Sequence, residues 1–295
     1  MSGTKKPELL FADAAVTALE KNKSLPAKFE RMLKRMTLSD RVGGKSVAVK
    51  MHLGGGSGFT TIHPVFVRIL VDAIKDAGAS SVKIIDGKDP SSGLARGYTE
   101  EVLGCPIVNC FGESGSEWEP TEIGYKDLDE ALFGAEALNA DVFVDFSHIK
   151  GHGACGFGGA LKNIAMGVVP PPTRSKLHHL EGGLTIDRDK CIYCLKCYNS
   201  CPNDAIMKDD EKKEINFFFH HCTFCQHCVL ICPEHAISML DRRFEDFARG
   251  MALVTDAFLR KFSPENLLFI NVLTDITVYC DCWEFSTPSL VPDIG

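Results

Sequence analysis

The chain has 295 residues, of which 45% are hydrophobic and 24% are charged. This composition is typical of a globular protein with about two domains, and it excludes a disordered, collagen-like or coiled-coil chain. The net charge of −7 argues against broad electrostatic binding to nucleic acid or to an anionic membrane. No run of 18 apolar residues and no secretory signal stands in the sequence, so we expect a cytoplasmic protein without a membrane span.

The first predicted elements form a βαβ unit. Residues 47–53 have the apolar pattern of a buried strand, and a glycine-rich loop follows at residues 54–58. A helix opens at His63-Pro64, has apolar residues at helical spacing and ends at Gly78. Residues 81–85 read as the next strand. Units of this kind build a right-handed parallel sheet.

A second unit follows after residues 88–126, whose pattern predicts no element. Residues 129–138 are predicted to be helical and residues 141–146 to form a strand. A second glycine-rich loop at residues 147–163 leads into a helix. Residues 171–184 suggest a linker, residues 242–262 a helix and residues 266–274 a strand. The predicted fold class is therefore α/β, with a parallel-sheet domain of residues 1–180 plus 241–295 and an inserted α+β module at residues 181–240.

Eight of the 13 cysteines lie in this inserted segment, in two runs of identical spacing that are offset by 31 residues. Each run reads C-x2-C-x2-C-x3-C-P, so the segment is an internal duplication. Soft thiolates at this spacing are typical of two [4Fe–4S] clusters, and in two-cluster ferredoxins the fourth cysteine of each run ligates the other cluster. Zinc favours CxxC pairs, and a disulfide framework needs an oxidising compartment. The predicted ligand sets are Cys191, Cys194, Cys197 and Cys232, and Cys222, Cys225, Cys228 and Cys201.

Both glycine-rich loops follow strands and precede helices, so we expect them at the carboxyl edge of the sheet, where α/β folds bind ligands. Histidines and lysines near free backbone N–H groups suit a small anionic ligand, an organic cofactor or a further metal. A tight turn is the alternative interpretation of each loop. The predicted catalytic residues are Lys50, His52, His148, Lys150, His152 and Lys162, and the predicted ligand-binding residues are Gly54, Gly56, Gly158, Gly159 and Asn163.

The remaining cysteines and a histidine pair leave alternatives open. Cys280 and Cys282 form a CxC pair. One interpretation is a metal-binding or redox role, and the other is the end of a strand with one thiol facing inward. Cys105 and Cys110 read as small buried hydrophobic residues. Residues 178–179 form a His-His pair that is either solvated in the linker or reaches the same cleft.

Several segments together resemble a known family. VAVKMHLGGG, SHIKGHGACGFGGALKNIAMG, the two cysteine runs and NVLTDITVYCDCWEFSTPSLVPDIG are similar to the uncharacterised iron–sulfur centre proteins of the domain-of-unknown-function 362 family. The resemblance implies an α/β domain with an inserted two-cluster ferredoxin, and electron transfer. Family members usually continue beyond VPDIG, so the resemblance implies either a fragment that lacks a C-terminal part of the α/β domain or a shorter variant. Cys155 departs from the small residue usual in the family.

The sequence favours an iron–sulfur oxidoreductase that passes electrons from a soluble donor to a substrate or cofactor in the α/β cleft. A non-catalytic ferredoxin-like carrier or adaptor is a second interpretation, and a cluster-based redox sensor is a third. The histidine- and lysine-rich loops favour the first, because a pure carrier needs none. The expected partners are a soluble electron donor or acceptor and a small anionic ligand.

Overall fold

The structure, a computed structural model, describes residues 9–152, 155–219, 221–222, 226–240, 244–281 and 286–295. The strands are β1 Ser46–Lys50, β2 Ser81–Asp86, β3 Ile107–Asn109, β4 Trp118–Tyr125, β5 Leu128–Gly134, β6 Val142–His148, β7 Lys150–His152, β8 Gly156–Gly158, β9 Gly183–Ile186, β10 Ile206–Asp209, β11 Glu214–Phe217, β12 Ile237–Leu240 and β13 Leu267–Val272. The helices are α1 Leu25–Arg35, α2 Ser39–Val42, α3 Pro64–Asp76, α4 Glu100–Leu103, α5 Ala135–Leu138, α6 Ala160–Ala165, α7 Pro171–Leu180, α8 Lys196–Ser200, α9 His227–Ile231 and α10 Phe244–Leu259. Short 3-10 helices span Lys21–Lys23, Pro90–Arg96 and Pro264–Asn266. Within these ranges, no helix has the length and apolar character needed to cross a membrane.

Five parallel strands form the central sheet in the order β13-β6-β1-β2-β3. The predicted α/β fold with a parallel sheet is therefore confirmed. The chain adds β2 and β3 on one side of β1, then returns to add β6 and β13 on the other. The strand order thus reverses between β1 and β6, and a reversal of this kind opens a crevice at the carboxyl ends of the two strands.

Helices bury apolar side chains on both faces of the sheet. On one face α3 contributes Val67, Leu70 and Ile74, and α1 packs against α3. Helix α3 begins as predicted, since Pro64 occupies its first turn and the His63 side chain accepts a hydrogen bond from the Val65 amide at 3.2 Å. The other face is covered by α6, α7, α10 and the β4–β5 hairpin.

Two predicted elements are wrong. Most of residues 129–138 forms β5, which pairs with β4 in an antiparallel hairpin, and only α5 is helical. Pairing with β4 and burial of Leu128 and Phe133 outweigh the helical propensity of this stretch. Most of the linker expected at residues 171–184 is α7, which buries Leu177 and His178. The His178 ring stacks on Phe247, with 5.5 Å between ring centroids, so it is not a solvated linker residue.

The cysteine-rich segment, residues 181–240, has a small apolar cluster of its own. Strand β9 pairs with β12, and β10 pairs with β11, both antiparallel. Each of these two sheets therefore takes one strand from each copy of the duplicated sequence. The cluster comprises Leu184, Cys197, Ile206, Ile215, Cys228 and Ile237.

Candidate functional site

Three charged side chains meet where the central strands end. Strand β1 ends at Lys50 and β2 at Asp86. Lys50 is in register with Ile85 on β2 and with Asp145 on β6. The sheet thus brings Lys50, Asp86 and Asp145 to the crevice at the reversal of strand order.

Lys50 and Asp86 form a buried ion pair, with 3.0 Å between Nζ and Oδ1 and side chains only 1% and 3% exposed. Lys50 Nζ also donates to Asn163 Oδ1 at 2.7 Å. The Leu53 amide donates to Asp86 Oδ2, and His52 Nδ1 lies 3.2 Å from that oxygen. Burial acts to raise the pKa of Asp86, but the charges of Lys50 and His52 outweigh it and hold the pKa well below its usual range. Asp86 therefore stays ionised.

Asp145 is a fully buried carboxyl linked to this pair. Asn163 Nδ2 donates to Asp145 Oδ2 at 3.2 Å and to the Lys50 carbonyl at 3.0 Å, and Ser147 Oγ donates to Asp145 Oδ1. Burial raises the pKa of Asp145 to about 7, against the effects of Ser147, Lys50 and Asn163. Asp145 can therefore gain or lose a proton near neutral pH.

Replacing Asp145 with Asn is expected to flatten the pH dependence of stability. In the wild type the folded pKa of about 7 lies above the ordinary 3.8, so the folded chain binds the extra proton between these values. The free energy of unfolding then falls as pH rises from 5 to 7, by on the order of 2–3 kcal/mol from this group. Denaturant unfolding at pH 5, 6, 7 and 8 measures the slope. The control is Asp141→Asn, a carboxyl directly before the same strand whose pKa lies below its usual value because of hydrogen bonds from Ser46. Equal slopes in wild type and Asp145→Asn would contradict the assignment.

A second group of charges lies around Asp281. Lys150 Nζ is 3.3 Å from Asp281 Oδ1 and donates to Thr60 Oγ1 at 2.7 Å. His148 Nδ1 is 3.3 Å from Asp281 Oδ2, and its Nε2 lies 2.7 Å from the Thr274 carbonyl. Burial lowers the pKa of Lys150, and the charge of Asp281 partly offsets that effect. These contacts hold Lys150 and His148 in place at the crevice.

Lys162 is the third residue of α6 and differs from the other lysines. It is partly buried, and its Nζ donates to Cys280 Sγ at 3.7 Å. Burial lowers the pKa of Lys162 to about 8, and the charges of Lys50 and Arg174 act in the same direction. Lys162 can therefore exchange a proton near neutral pH. Cys282, the other half of the CxC, lies outside the described residues.

These groups surround a cavity of 160 Å³. Its wall carries five Lys or Arg side chains and two Asp side chains, so positive charge is in excess. Eight of the predicted site residues line this cavity: Lys50, His52, His148, Lys150, Gly158, Gly159, Lys162 and Asn163. The same wall contains six further residues that no sequence pattern indicated as cavity residues: Lys88, Met166, Gly167, Arg174, Phe218 and Asp281.

Three predicted residues lie elsewhere. Gly54 and Gly56 belong to a loop that wraps around Arg96, whose guanidinium donates to the carbonyls of Leu53 and Gly56 at 3.0 and 3.3 Å. This loop thus turns carbonyl oxygens toward a cation, and its glycines are outside the cavity wall. His152 is also outside it. Burial, together with the charges of Lys162 and His178, lowers the pKa of His152 to about 2, so its imidazole is neutral.

Substituting Gly167 with Ala is expected to disturb Lys50. A Cβ at this position would lie 2.5 Å from Nζ and Cε of Lys50 and would contact the Asn163 carbonyl. We expect a loss of about 1–3 kcal/mol in the free energy of unfolding, because the core is overpacked. The matched control is Gly158→Ala, where the nearest atom is Lys162 Cδ at 3.4 Å. Urea unfolding of both variants tests this, and equal midpoints would contradict it.

Two small pockets in the cysteine-rich segment bring the runs together. The first cysteine site is lined by Cys191, Cys194, Cys197 and Cys232. The second cysteine site is lined by Cys201, Cys222 and Cys228, while Cys225 lies outside the described residues. In each site, the fourth cysteine of one run lies with cysteines from the first three positions of the other run.

The two sites share backbone details that fit an iron–sulfur cluster. Leu195 and Gln226 occupy equivalent positions with φ of 60° and 65°. The amide of Ala205 donates to Cys201 Sγ at 3.2 Å, and that of Ala236 to Cys232 Sγ at 3.3 Å. Within the described ranges, no three His, Cys, Asp or Glu side chains are grouped to hold one metal ion. An iron–sulfur cluster has several irons, so its four thiolates need not group around one ion. Hydrogen bonds to the sulfurs tune the reduction potential of such clusters.

Comparisons with known proteins place the chain in a family. The family model described as "Domain of unknown function (DUF362)" matches residues 47–295. The comparison with curated proteins gave no match. A solved structure of the lactate racemase apoprotein from Thermoanaerobacterium thermosaccharolyticum is similar at 16% identity and a TM-score of 0.40, over 83% of this chain and 49% of that one. A Thermotoga maritima protein from a structural genomics programme is similar at 12% identity and a TM-score of 0.35, over 82% of this chain and 61% of that one.

The chain spans about half the length of the first of these solved proteins and less than two thirds of the second. The family model, in contrast, runs from the start of the central sheet to the last residue. Since it matches most of the chain, this protein belongs to the DUF362 family.

Proposed function

We propose that the chain holds two [4Fe–4S] clusters and is an iron–sulfur oxidoreductase that passes electrons to a small anionic ligand in the cavity. The observation that supports this most is the crossed arrangement of the cysteines. At the first cysteine site, Cys232 of the second run lies with three cysteines of the first run. At the second, Cys201 of the first run lies with Cys222 and Cys228. Bound clusters would supply one-electron transfer.

The chain's own residues would bind the ligand and handle protons. The excess of Lys and Arg in the cavity wall favours an anion. His52 Nε2 is buried without a hydrogen-bond partner in the described part of the chain, and His52 lines this cavity. Lys162, with a pKa of about 8, and Asp145, with a pKa of about 7, are suited to hold or release a proton near neutral pH.

Metal analysis and spectroscopy test the cluster part. Anaerobically purified protein is expected to contain about eight irons and eight sulfides per chain and to show [4Fe–4S] signals in electron paramagnetic resonance (EPR) after reduction. Cys201→Ser is expected to alter or remove the signal of one cluster. Cys105→Ala is the control, because Cys105 is buried in the core beside the central sheet. Iron-free protein from an anaerobic preparation, or zinc in its place, would reject the proposal.

Calorimetric titration tests the cavity part, with inorganic phosphate, sulfate and acetate as probes. Lys162→Met is expected to weaken the binding of the tightest-binding probe about tenfold. The affinity of the wild type for this probe is expected to fall as pH rises through 8, where Lys162 loses its charge. The control is Lys83→Met, which removes the same charge from a partly exposed pair with Glu136. Intact clusters without anion binding would instead favour the carrier interpretation.

A further inference from the structure

We propose that the two cysteine sites have different tasks, although their sequences are duplicated. The second cysteine site is coupled to a ligand in the cavity, and the first cysteine site is not. This inference rests on the proposed function and identifies which of the two clusters responds to the ligand.

Phe218 connects the cavity to the second cysteine site. It lines the cavity, and it is the one described residue of the 181–240 segment that does so. Its amide donates to the Ala205 carbonyl at 2.8 Å, and the Ala205 amide donates to Cys201 Sγ at 3.2 Å. The preceding residue, Phe217, lines the second cysteine site itself. Two hydrogen bonds and one residue thus separate the cavity wall from a sulfur of that site.

A second contact runs through side chains. The Phe218 ring packs edge-on against the ring of His221, with 4.6 Å between centroids. His221 directly precedes Cys222, whose amide donates to the Phe219 carbonyl at 3.3 Å. The same short stretch of chain therefore forms part of the cavity wall and part of the second cysteine site.

The duplication supplies an internal comparison. The residue 31 positions before Phe218 is Asp187. Its amide donates to the Ala236 carbonyl at 2.8 Å, and the Ala236 amide donates to Cys232 Sγ at 3.3 Å. The Asp187 side chain, however, lies outside the cavity wall and pairs with Lys190 at 2.7 Å. The same hydrogen-bonded framework thus ends at a cavity residue in one copy and at a residue outside the cavity wall in the other.

This difference has an electrostatic consequence. An anion in the cavity disfavours an added electron at the nearer cluster, because like charges repel. By reciprocity, reduction of that cluster weakens anion binding by the same factor. A tenfold weaker affinity corresponds to a reduction potential about 59 mV more negative. The cluster of the first cysteine site is expected to keep its potential.

The test is an anaerobic redox titration of the loaded protein, followed by EPR, with and without the tightest of the three anion probes. Cys201→Ser and Cys232→Ser assign the two signals, since each substitution alters the ligands of one cluster. We expect the anion to lower the reduction potential of only the cluster assigned through Cys201, by about 59 mV, which corresponds to a tenfold change in anion affinity.

Matched charge changes give a second measurement that needs no ligand. Phe218→Lys adds one positive charge and Asp187→Asn removes one negative charge, so each changes the net charge by +1 at equivalent positions of the duplication. Phe218→Lys is expected to raise the potential of the second site only, and Asp187→Asn that of the first site only. The wild-type titration stands independently if Phe218→Lys fails to load iron.

Three results would overturn this inference and leave the proposed function intact. They are a shifted potential of the cluster assigned through Cys232, equal shifts in both potentials, or no shift while calorimetry records anion binding. Missing iron or missing anion binding, measured on the same samples, would overturn the proposed function and the inference together.

Discussion

Replacing Lys50 with Met is expected to lower the free energy of unfolding by about 3–5 kcal/mol at pH 7. The substitution leaves the Asp86 carboxylate buried beside its amide donors with its main cation removed. In the wild type the depressed pKa of Asp86 contributes stability above pH 3.8, and that stability is lost only in strong acid. Without Lys50 the pKa of Asp86 rises, so the deficit of the variant is largest near pH 7 and shrinks toward pH 4.

Urea unfolding at pH 7 and pH 4, with equal iron content in all samples, measures this deficit. The control is Lys83→Met on the neighbouring strand, where the partly exposed pair with Glu136 is worth about 0–1 kcal/mol. The double variant Lys50→Met/Asp86→Asn should lose less than the sum of the single losses, because no unpaired charge is left buried. A loss below about 1 kcal/mol in Lys50→Met, or the same loss at both pH values, would show that the pair is not a buried charge pair.

Removal of iron is expected to unfold the cysteine-rich segment while the central sheet stays folded. The apolar cluster of this segment has six buried residues, and two of them are Cys197 and Cys228. A segment of this size rarely gains enough stability from its core alone, and under the proposed function the bound clusters would supply the rest. Burial raises the pKa of the free Cys228 thiol to about 11, so this thiol is protonated once iron is removed.

Hydrogen exchange read out by mass spectrometry measures this effect on loaded and chelator-treated protein. Amides of β9 to β12 are expected to lose protection by about a hundredfold or more, and those of β1 and β6 to keep theirs. Cys110→Ala serves as the control because Cys110 is buried against the central sheet, far from both runs in sequence. Unchanged protection of β9 to β12 after complete iron removal would refute the prediction.

The parallel sheet could be predicted because its signals are local. The apolar strand at 47–53, the helix opened by His63-Pro64 and the strand at 81–85 each carry their pattern within a few residues. Once the sheet is parallel, loops that follow its strands must lie at one edge, which is why Lys50, His148 and Lys162 could be grouped in advance. The duplicated cysteine spacing is equally local.

The β4–β5 hairpin and α7 could not be predicted in this way. The stretch 129–138 favours a helix by composition, and only pairing with β4 makes most of it a strand. Asp145 looked like one polar residue in a buried strand, and its raised pKa depends on burial and on Asn163, which is 18 residues away. Arg96 could not be connected to the glycine loop, because their contact spans about 40 residues.

Short-range sequence pattern is enough to predict the α/β class, the thiol spacing and the types of side chain near the sheet edge. Tertiary contacts set which charges are paired, which carboxyl has a raised pKa and which copy of the duplicated segment contributes a residue to the cavity wall. Those properties depend on burial and on distances between residues far apart in the chain. Phe218 and Asp187 show this most directly, because equivalent positions in a repeat acquire different surroundings only when the whole chain is folded.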